Sequence, residues 1–143
     1  MTMKNPEIIR LNDFANCITG RHNSSQQSIA HHYGLAEVDV ALFNEVKDTR
    51  PVLRESLQGV GFQPFRTTIV SEIEKLRSVL RKGIVDMLIF EADSRPKDMY
   101  CLVREIRDGG LGPNPFVVIT IVTWRADKNL IHAFLKAGAD DVW

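Results

Sequence analysis

The feature that most constrains the fold is an apolar run in the middle of the chain. Residues 84–90 read Ile-Val-Asp-Met-Leu-Ile-Phe, and they lie between Gly83 and Glu91. A short run this rich in large apolar residues predicts a strand covered on both faces, as in a parallel sheet. Such a strand delivers the carboxylate of Glu91 to the carboxyl edge of the sheet, where open α/β sheets place their binding sites.

The rest of the chain from Glu37 onward alternates strand patterns with helix patterns, which indicates βαβ units. Strands are predicted at residues 38–43, 62–68, 84–90 and 116–122, and helices at 49–60, 71–82, 98–107 and 127–137. Pro64 predicts that the second strand lies at a sheet edge, because proline cannot donate to a strand ladder. Ser71 and Glu74 have the spacing of a helix capping box. Asp140 and Asp141 are predicted to lie in a loop before a fifth strand.

Size and charge favour one ordinary domain and disfavour two classes of partner. The 143 residues fit a single domain with its own core. Eighteen basic residues balance eighteen acidic ones, so electrostatics gives no reason to expect nucleic acid or an anionic membrane. The apolar runs are far shorter than the ~20 residues of a membrane span. We expect a cytoplasmic protein whose cysteines, Cys17 and Cys101, stay reduced.

The N-terminal residues differ in character from the remainder. Asn5 and Pro6 are typical of a helix start, and Gly20 is typical of a stop. Between them, apolar residues recur at helical spacing: Ile8, Leu11, Ala15 and Ile18. Residues 21–32 are rich in polar residues and predict a linker or a weakly ordered turn of helix. The predicted organisation is therefore a helical extension with a linker over residues 1–36, followed by an α/β domain over residues 37–143.

Several segments in register resemble the receiver domain of bacterial two-component response regulators. They are Glu91, Asp98-Met99, the helical run 102–107, the strand 119–123 and the turn Ala137-Gly138-Ala139-Asp140. The resemblance covers residues 38–143. It implies a flavodoxin-like, doubly wound parallel sheet in the strand order 2-1-3-4, with a truncated or missing fifth strand beside the fourth. Residues 1–36 lie outside it.

The resemblance also implies roles for particular residues. Receiver domains transfer a phosphoryl group onto their own aspartate, using Mg²⁺ held by an acidic pair, a hydroxyl after the fourth strand and a lysine after the fifth. Glu91 falls at the acceptor position and Thr123 at the hydroxyl position. Asn44 and Glu45 fall at the acidic pair, and the lysine would lie two residues past Trp143. With Glu91 and the backbone carbonyl of Asp93, that pair would form a degenerate oxygen site for Mg²⁺, while the Asp93 side chain is expected to be solvated.

Three departures from the family pattern lie in this one site. Glu91 stands in place of aspartate, and its additional methylene moves the carboxylate. Such a displacement matters because a 1 Å misplacement can cost ~100-fold in rate. Asn44 removes a negative charge from the metal site. Trp124 stands where a small residue leaves room for the phosphoryl group, so its ring is predicted to cap the pocket. We therefore expect no phosphorylation, no catalysis and no bound cofactor, with weak Mg²⁺ binding as the alternative.

The leading hypothesis is a receiver-like signalling module of a phosphorelay that acts through protein–protein interaction. Its expected partners are a histidine kinase, a downstream effector domain or a second copy of the chain. A functional Mg²⁺-dependent phospho-acceptor switch is the second hypothesis. A small flavodoxin-like ligand-binding protein or enzyme is the third, and it is disfavoured because residues 44–48 contain no glycine for a phosphate loop.

Plainer roles stay open for the same side chains. Glu91 could bond Lys47 or a helix N-terminus, Thr123 could be a helix cap, and Trp124 could pack on the sheet edge or on a partner. If the domain ended at Trp143, the outer edge of the fourth strand would lack a neighbour. The N-terminal helix is then predicted to pack on its own domain or on a second copy.

Overall fold

The computed structural model describes residues 34–125 and 127–142. The elements are β1 (Val40–Phe43), α1 (Arg50–Val60), β2 (Thr67–Val70), α2 (Ile73–Lys82), β3 (Met87–Glu91), α3 (Pro96–Arg107), β4 (Val118–Val122), α4 (Lys128–Ala137) and β5 (Asp141–Val142). Short 3-10 turns occupy Leu35–Glu37, Lys47–Thr49 and Pro64–Arg66. The helix and linker predicted before residue 34 lie outside the described residues. No helix within the described ranges is long and apolar enough to cross a membrane.

The strands form one parallel sheet in the order β2-β1-β3-β4-β5. This confirms the flavodoxin-like doubly wound sheet and the strand order expected from the sequence. The fifth strand is present as two residues, with Thr120 opposite Asp141 and Ile121 opposite Val142. Asp141 therefore lies in a strand and not in the predicted loop, and the outer edge of β4 is paired over this stretch.

The sheet separates two apolar clusters, because successive side chains of a strand point to opposite faces. The larger cluster packs α2, α3 and α4 against one face, and it includes Phe43, Phe90 and Ile121 from the strands. The smaller cluster packs α1 against the other face, around Leu42 and Ile89. The predicted apolar stripe of α3 is confirmed, since its four members are almost fully buried: Met99, Leu102, Val103 and Ile106.

Two further local predictions are wrong. The second strand begins at Thr67, because Pro64–Arg66 forms a 3-10 turn that suits the fixed φ of proline and its missing N–H. The capping box at the start of α2 does not form. Glu72 is the N-cap residue there, and its side chain makes no cap hydrogen bond. Its carboxylate accepts instead from Lys75 Nζ at 2.6 Å.

Candidate functional site

The parallel sheet brings the predicted site residues to one edge. Strands β1, β3 and β4 end at Phe43, Glu91 and Val122, which lie at similar heights in the sheet. The segments that follow these strands therefore meet at the carboxyl edge, as expected of this architecture. They contain the other residues named from the sequence: Asn44, Glu45, Asp93, Thr123 and Trp124.

Glu91 holds the loop that follows its own strand. The side chain is buried, with the residue 7% exposed. Its Oε1 accepts hydrogen bonds from the backbone N–H groups of Asp93 and of Ser94, the latter at 3.0 Å. Its Oε2 accepts from the Ser94 hydroxyl at 2.8 Å. The carboxylate of Glu91, at the acceptor position, thus accepts hydrogen bonds from the loop that leads into α3.

Asn44 organises the loop that follows β1. Its Oδ1 accepts from the Val46 N–H at 2.9 Å, which forms an Asx turn, and its Nδ2 donates to Thr49 Oγ1 at 2.5 Å. Its backbone N–H donates to the Val70 carbonyl at 3.0 Å and so extends the pairing of β1 with β2. The residue is 3% exposed. Burial of an amide is favourable only when its polar atoms are bonded in this way.

Glu45 is paired with an arginine that sequence reasoning did not identify. Its carboxylate accepts from Arg95 Nε, and Arg95 Nη1 also lies 3.6 Å from Asp98 Oδ2. The hydrogen bond and the charge of Glu45 raise the pKa of Arg95 above its ordinary value. The charge expected to serve a metal at this position is therefore already balanced within the protein.

Asp93 makes the contacts that sequence reasoning missed. Its Oδ1 accepts from the Thr123 hydroxyl at 2.5 Å, and its Oδ2 accepts from the Trp124 N–H at 2.5 Å. Its side chain is only 13% exposed, so the prediction of a solvated acid is wrong. No local sequence signal could have shown this role, because the partners lie about thirty residues away along the chain.

Trp124 borders a small pocket at this edge. The pocket has a volume of about 50 Å³, and Asn44 and Glu91 also line it. Its other walls are largely apolar and come from β1, α1, β3 and β4, including Leu42, Leu53, Ile89 and Val122. The Trp124 residue is 38% exposed. Trp124 and Glu91 thus line the same pocket, while the cap over Glu91 and the exclusion of a phosphoryl group stay predictions.

The proposed magnesium ligands have partners within the protein. Glu45 is bound to Arg95, both oxygens of Glu91 accept bonds from the β3–α3 loop, and Asn44 Oδ1 accepts from Val46. In the described part of the chain, no group of three or more His, Cys, Asp or Glu residues could hold a metal ion. These hydrogen bonds compete with an ion for the same oxygens, and Mg²⁺ binding stays a prediction.

Comparisons with known proteins agree on the fold. No protein-family model matches the sequence, and no curated protein matches it. Among solved structures, the receiver domain of the TMAO respiratory system response regulator TorR matches with a TM-score of 0.60 and 20% identity, over 73% of this chain and 80% of that one. A response regulator receiver protein from Pseudoalteromonas atlantica matches with a TM-score of 0.59 and 16% identity, over 72% and 80%.

A third match is the receiver domain of a sensor histidine kinase from Pseudomonas aeruginosa, whose structure has a magnesium ion in the active site cleft. It has a TM-score of 0.59 and 20% identity, and the match covers 74% of this chain and 84% of that one. Identities this low show the fold and nothing beyond it. The described domain therefore has the receiver fold, as the sequence resemblance predicted.

Proposed function

We propose that this domain is a receiver-like signalling module of a phosphorelay that works through protein–protein contacts without being phosphorylated. The observation that carries the proposal is the environment of Glu91. Its Oε1 accepts two hydrogen bonds from loop amides, and its Oε2 is bound to the Ser94 hydroxyl. A nucleophile must present a lone pair in line with the reacting atom. Glu91 is 7% exposed and tied to its own loop, so it is poorly placed to do this.

The charges around Glu91 support the same proposal. Phosphoryl transfer depends on cations that neutralise the charge developing on the transferred group. The position that would supply the first metal carboxylate holds Asn44, a neutral amide bound to Val46 and Thr49. The second holds Glu45, whose charge is balanced by Arg95. Neither side chain is set up to recruit the ion that this chemistry would need.

The structural neighbours support a signalling role. They are named as receiver domains of response regulators and of a sensor histidine kinase. Fold likeness alone does not define a function. We therefore propose a histidine kinase or a downstream effector domain as the class of partner. A second copy of the chain is a further candidate.

Treatment with a small phosphoryl donor tests the proposal. We expect incubation of the chain with acetyl phosphate and Mg²⁺ to leave its intact mass unchanged. A receiver domain with aspartate at the acceptor position, treated in parallel, should gain one phosphoryl group and serves as the positive control. A gain of one phosphoryl group that is lost in Glu91→Gln would overturn the proposal.

That contrary result would favour the second candidate, a working Mg²⁺-dependent acceptor switch. The observation in its favour is that Glu45, just after β1, and Glu91, at the end of β3, lie at the same sheet edge. One structural neighbour has a magnesium ion in its active site cleft. The same incubation with EDTA in place of Mg²⁺ separates the two. Only a working switch would show phosphorylation that disappears with EDTA and in Glu45→Gln.

A further inference from the structure

We propose that the N-terminal segment of this chain, residues 5–20, docks on an exposed apolar strip at the amino end of β4. The strip consists of Ile84, Phe116 and Val118, which are 70%, 87% and 46% exposed. Single exposed apolar side chains are ordinary, but several that lie together mark an interaction surface. The docking goes beyond the proposed function, because it involves neither Glu91 nor the carboxyl edge of the sheet.

The three residues of the strip lie in segments that run side by side. The Asn114 side chain donates from Nδ2 to the Val85 carbonyl at 3.1 Å, which joins the segment before β4 to the segment before β3. Ile84 immediately precedes Val85, and Phe116 lies two residues after Asn114. Val118 is the first residue of β4, which pairs in parallel with β3. The strip is therefore one surface at the amino ends of two neighbouring strands.

Val118 lies on the side of the sheet that carries α1. Ile119 belongs to the cluster beneath the other three helices, and Val122 belongs to the cluster beneath α1. Successive side chains of a strand point to opposite faces, so Val118 is on the same face as Val122. Val122, at the carboxyl end, is the one residue of β4 among the buried members of the α1 cluster. Among the described helices, α1 thus leaves the amino end of β4 uncovered.

The N-terminal segment joins the described domain on this same side. Leu35 is 8% exposed and belongs to the cluster beneath α1. It precedes β1, so the chain arrives at the amino end of the sheet, where the strip also lies. Residues 21–33 can span at most about 45 Å. Strands β1 and β4 are separated by β3 alone and so lie about 10 Å apart. The segment is therefore within reach of the strip.

The sequence of the N-terminal segment suits an apolar surface. Its apolar residues recur at the spacing of one helix face: Ile8, Leu11, Ala15 and Ile18. Asp13 falls near the opposite side of such a helix, which has about 3.6 residues per turn. Short amphipathic helices of this kind gain most of their stability by packing their apolar face against another surface. The strip offers such a surface.

The size of the strip favours a tethered segment over a second copy of the chain. Three side chains of this kind expose at most on the order of 400 Å². Each partner in a stable complex contributes about 800 Å². A segment of the same chain needs less contact area, because a short flexible linker holds it at an effective concentration in the millimolar range. We therefore assign the strip to residues 5–20 of its own chain.

A double-mutant cycle in the full chain tests the docking by urea unfolding. Replacement of a side chain that nothing covers leaves stability almost unchanged. We expect Phe116→Ser instead to lower the urea midpoint by roughly 0.5 M, and Leu11→Ser to do the same. In the Leu11→Ser background, Phe116→Ser should cause no further loss, because the contact is already broken. Asp13→Ser, on the opposite side of the predicted helix, should leave the midpoint unchanged.

Phe65→Ser is the matched control on the domain. Phe65 is 81% exposed, but it lies just ahead of β2, which β1 and β3 separate from β4. Its ring already has a neighbour, since the Arg66 guanidinium carbon lies 5.9 Å from the ring centroid. We expect Phe65→Ser to shift the urea midpoint less than half as much as Phe116→Ser does. Its effect should be the same with and without Leu11→Ser.

Hydrogen exchange locates the contact within the fold. Leu11→Ser should speed exchange several-fold in peptides that cover residues 84–86 and 115–118, because it uncovers the strip. Peptides that cover residues 63–66 should keep the exchange rate of the parent. Asp13→Ser should leave both regions unchanged.

Several outcomes would refute the docking. They are an unchanged midpoint in Phe116→Ser, losses in the cycle that simply add, and equal losses from Phe116→Ser and Phe65→Ser. Sedimentation distinguishes the remaining occupant. We expect Phe116→Ser to leave the sedimentation coefficient unchanged, whereas a dimer that this variant dissociates would mean that a second copy covers the strip. None of these measurements depends on whether Glu91 is phosphorylated.

Discussion

At the scale of single residues, two glycines between α3 and β4 share a backbone conformation but differ in their surroundings. Gly109 and Gly112 have φ values of 78° and 81°, in the left-handed region that disfavours residues with a Cβ. A Cβ at Gly109 would meet nothing within 4 Å. A Cβ at Gly112 would lie 2.3 Å from the Leu80 carbonyl oxygen, which is backbone and cannot rotate away. Gly109 is therefore required only by its backbone conformation, whereas Gly112 is required both by its conformation and by the closeness of Leu80.

We expect Gly112→Ala to be clearly more destabilising than Gly109→Ala. The left-handed backbone alone should cost about 1–2 kcal/mol at either position. Forcing the α2 backbone away from a new Cβ should add roughly 1–3 kcal/mol at position 112 only. Urea unfolding of the two variants and the parent gives both values. Equal losses of unfolding free energy would mean that the Leu80 carbonyl is not the constraint.

The roles of some single residues could be predicted from the sequence, and the roles of others could not. Glu91 was identified because a buried strand must end at the sheet edge, which is a local pattern. The role of Asp93 was missed, because its bonds to Thr123 and Trp124 depend on where the fold places another loop. Asn44 was predicted as a weakened metal ligand, but its amide bonds Val46 and Thr49, so its role is local, unlike that of Asp93. Side-chain partners distant in sequence are set by packing that the sequence does not display.

At the scale of elements, one arginine joins three segments at the end of α3. The Arg107 guanidinium donates to the carbonyls of Pro115 and Val117 at 2.7 and 2.8 Å, and to the Gly138 carbonyl at 2.8 Å. It also pairs with Asp140 at 2.8 Å. The Asp140 carboxylate in turn accepts from the Ile119 N–H at 2.7 Å. The planar, five-donor guanidinium suits this role, which a lysine could not fill.

We expect Arg107→Met to lower the unfolding free energy by about 3 kcal/mol, because several carbonyls lose a charged donor at once. Arg77→Met is the matched control. Both arginine side chains are 21% exposed, and Arg77 forms an ion pair with Glu105 at 2.6 Å. Loss of that partly exposed pair should cost about 1 kcal/mol. Urea unfolding would contradict this account if the two variants lost equal stability.

The helices and strands differ in how well their boundaries could be predicted from the sequence. The helices were predicted, because apolar periodicity reports which face is buried. The strand order was expected from the resemblance to receiver domains. The start of β2 was predicted too early, since Pro64 began a 3-10 turn ahead of the strand. The Ser71 capping box also failed, although its spacing was correct. Turns and caps depend on local competition among hydrogen bonds, which apolar periodicity does not resolve.

At the scale of the whole molecule, the two faces of the sheet are unequal among the described residues. The cluster beneath α2, α3 and α4 contains twenty buried residues, and the cluster beneath α1 contains ten. The buried side chains of α3 are at most 1% exposed, whereas those of α1 are 4–8% exposed: Leu53, Leu57 and Val60. Local opening is easiest where fewer apolar contacts must be broken. The face that carries α1 should therefore be the less stable one.

We expect native-state hydrogen exchange to show this difference. Peptides from α1 should exchange at least about tenfold faster than peptides from α3, which corresponds to about 1.4 kcal/mol in opening free energy.

Two truncations at buried leucines make the comparison sharper. Leu57→Ala should accelerate exchange mainly in α1, because α1 opens on its own. Leu102→Ala, at a fully buried position of the larger cluster, should accelerate exchange across the sheet. If α1 and α3 instead exchanged at one common rate in the parent, and both truncations raised that rate everywhere, the domain would open only as a single unit. The Trp124 pocket, which includes Val52 and Leu53 of α1, would then open only on global unfolding.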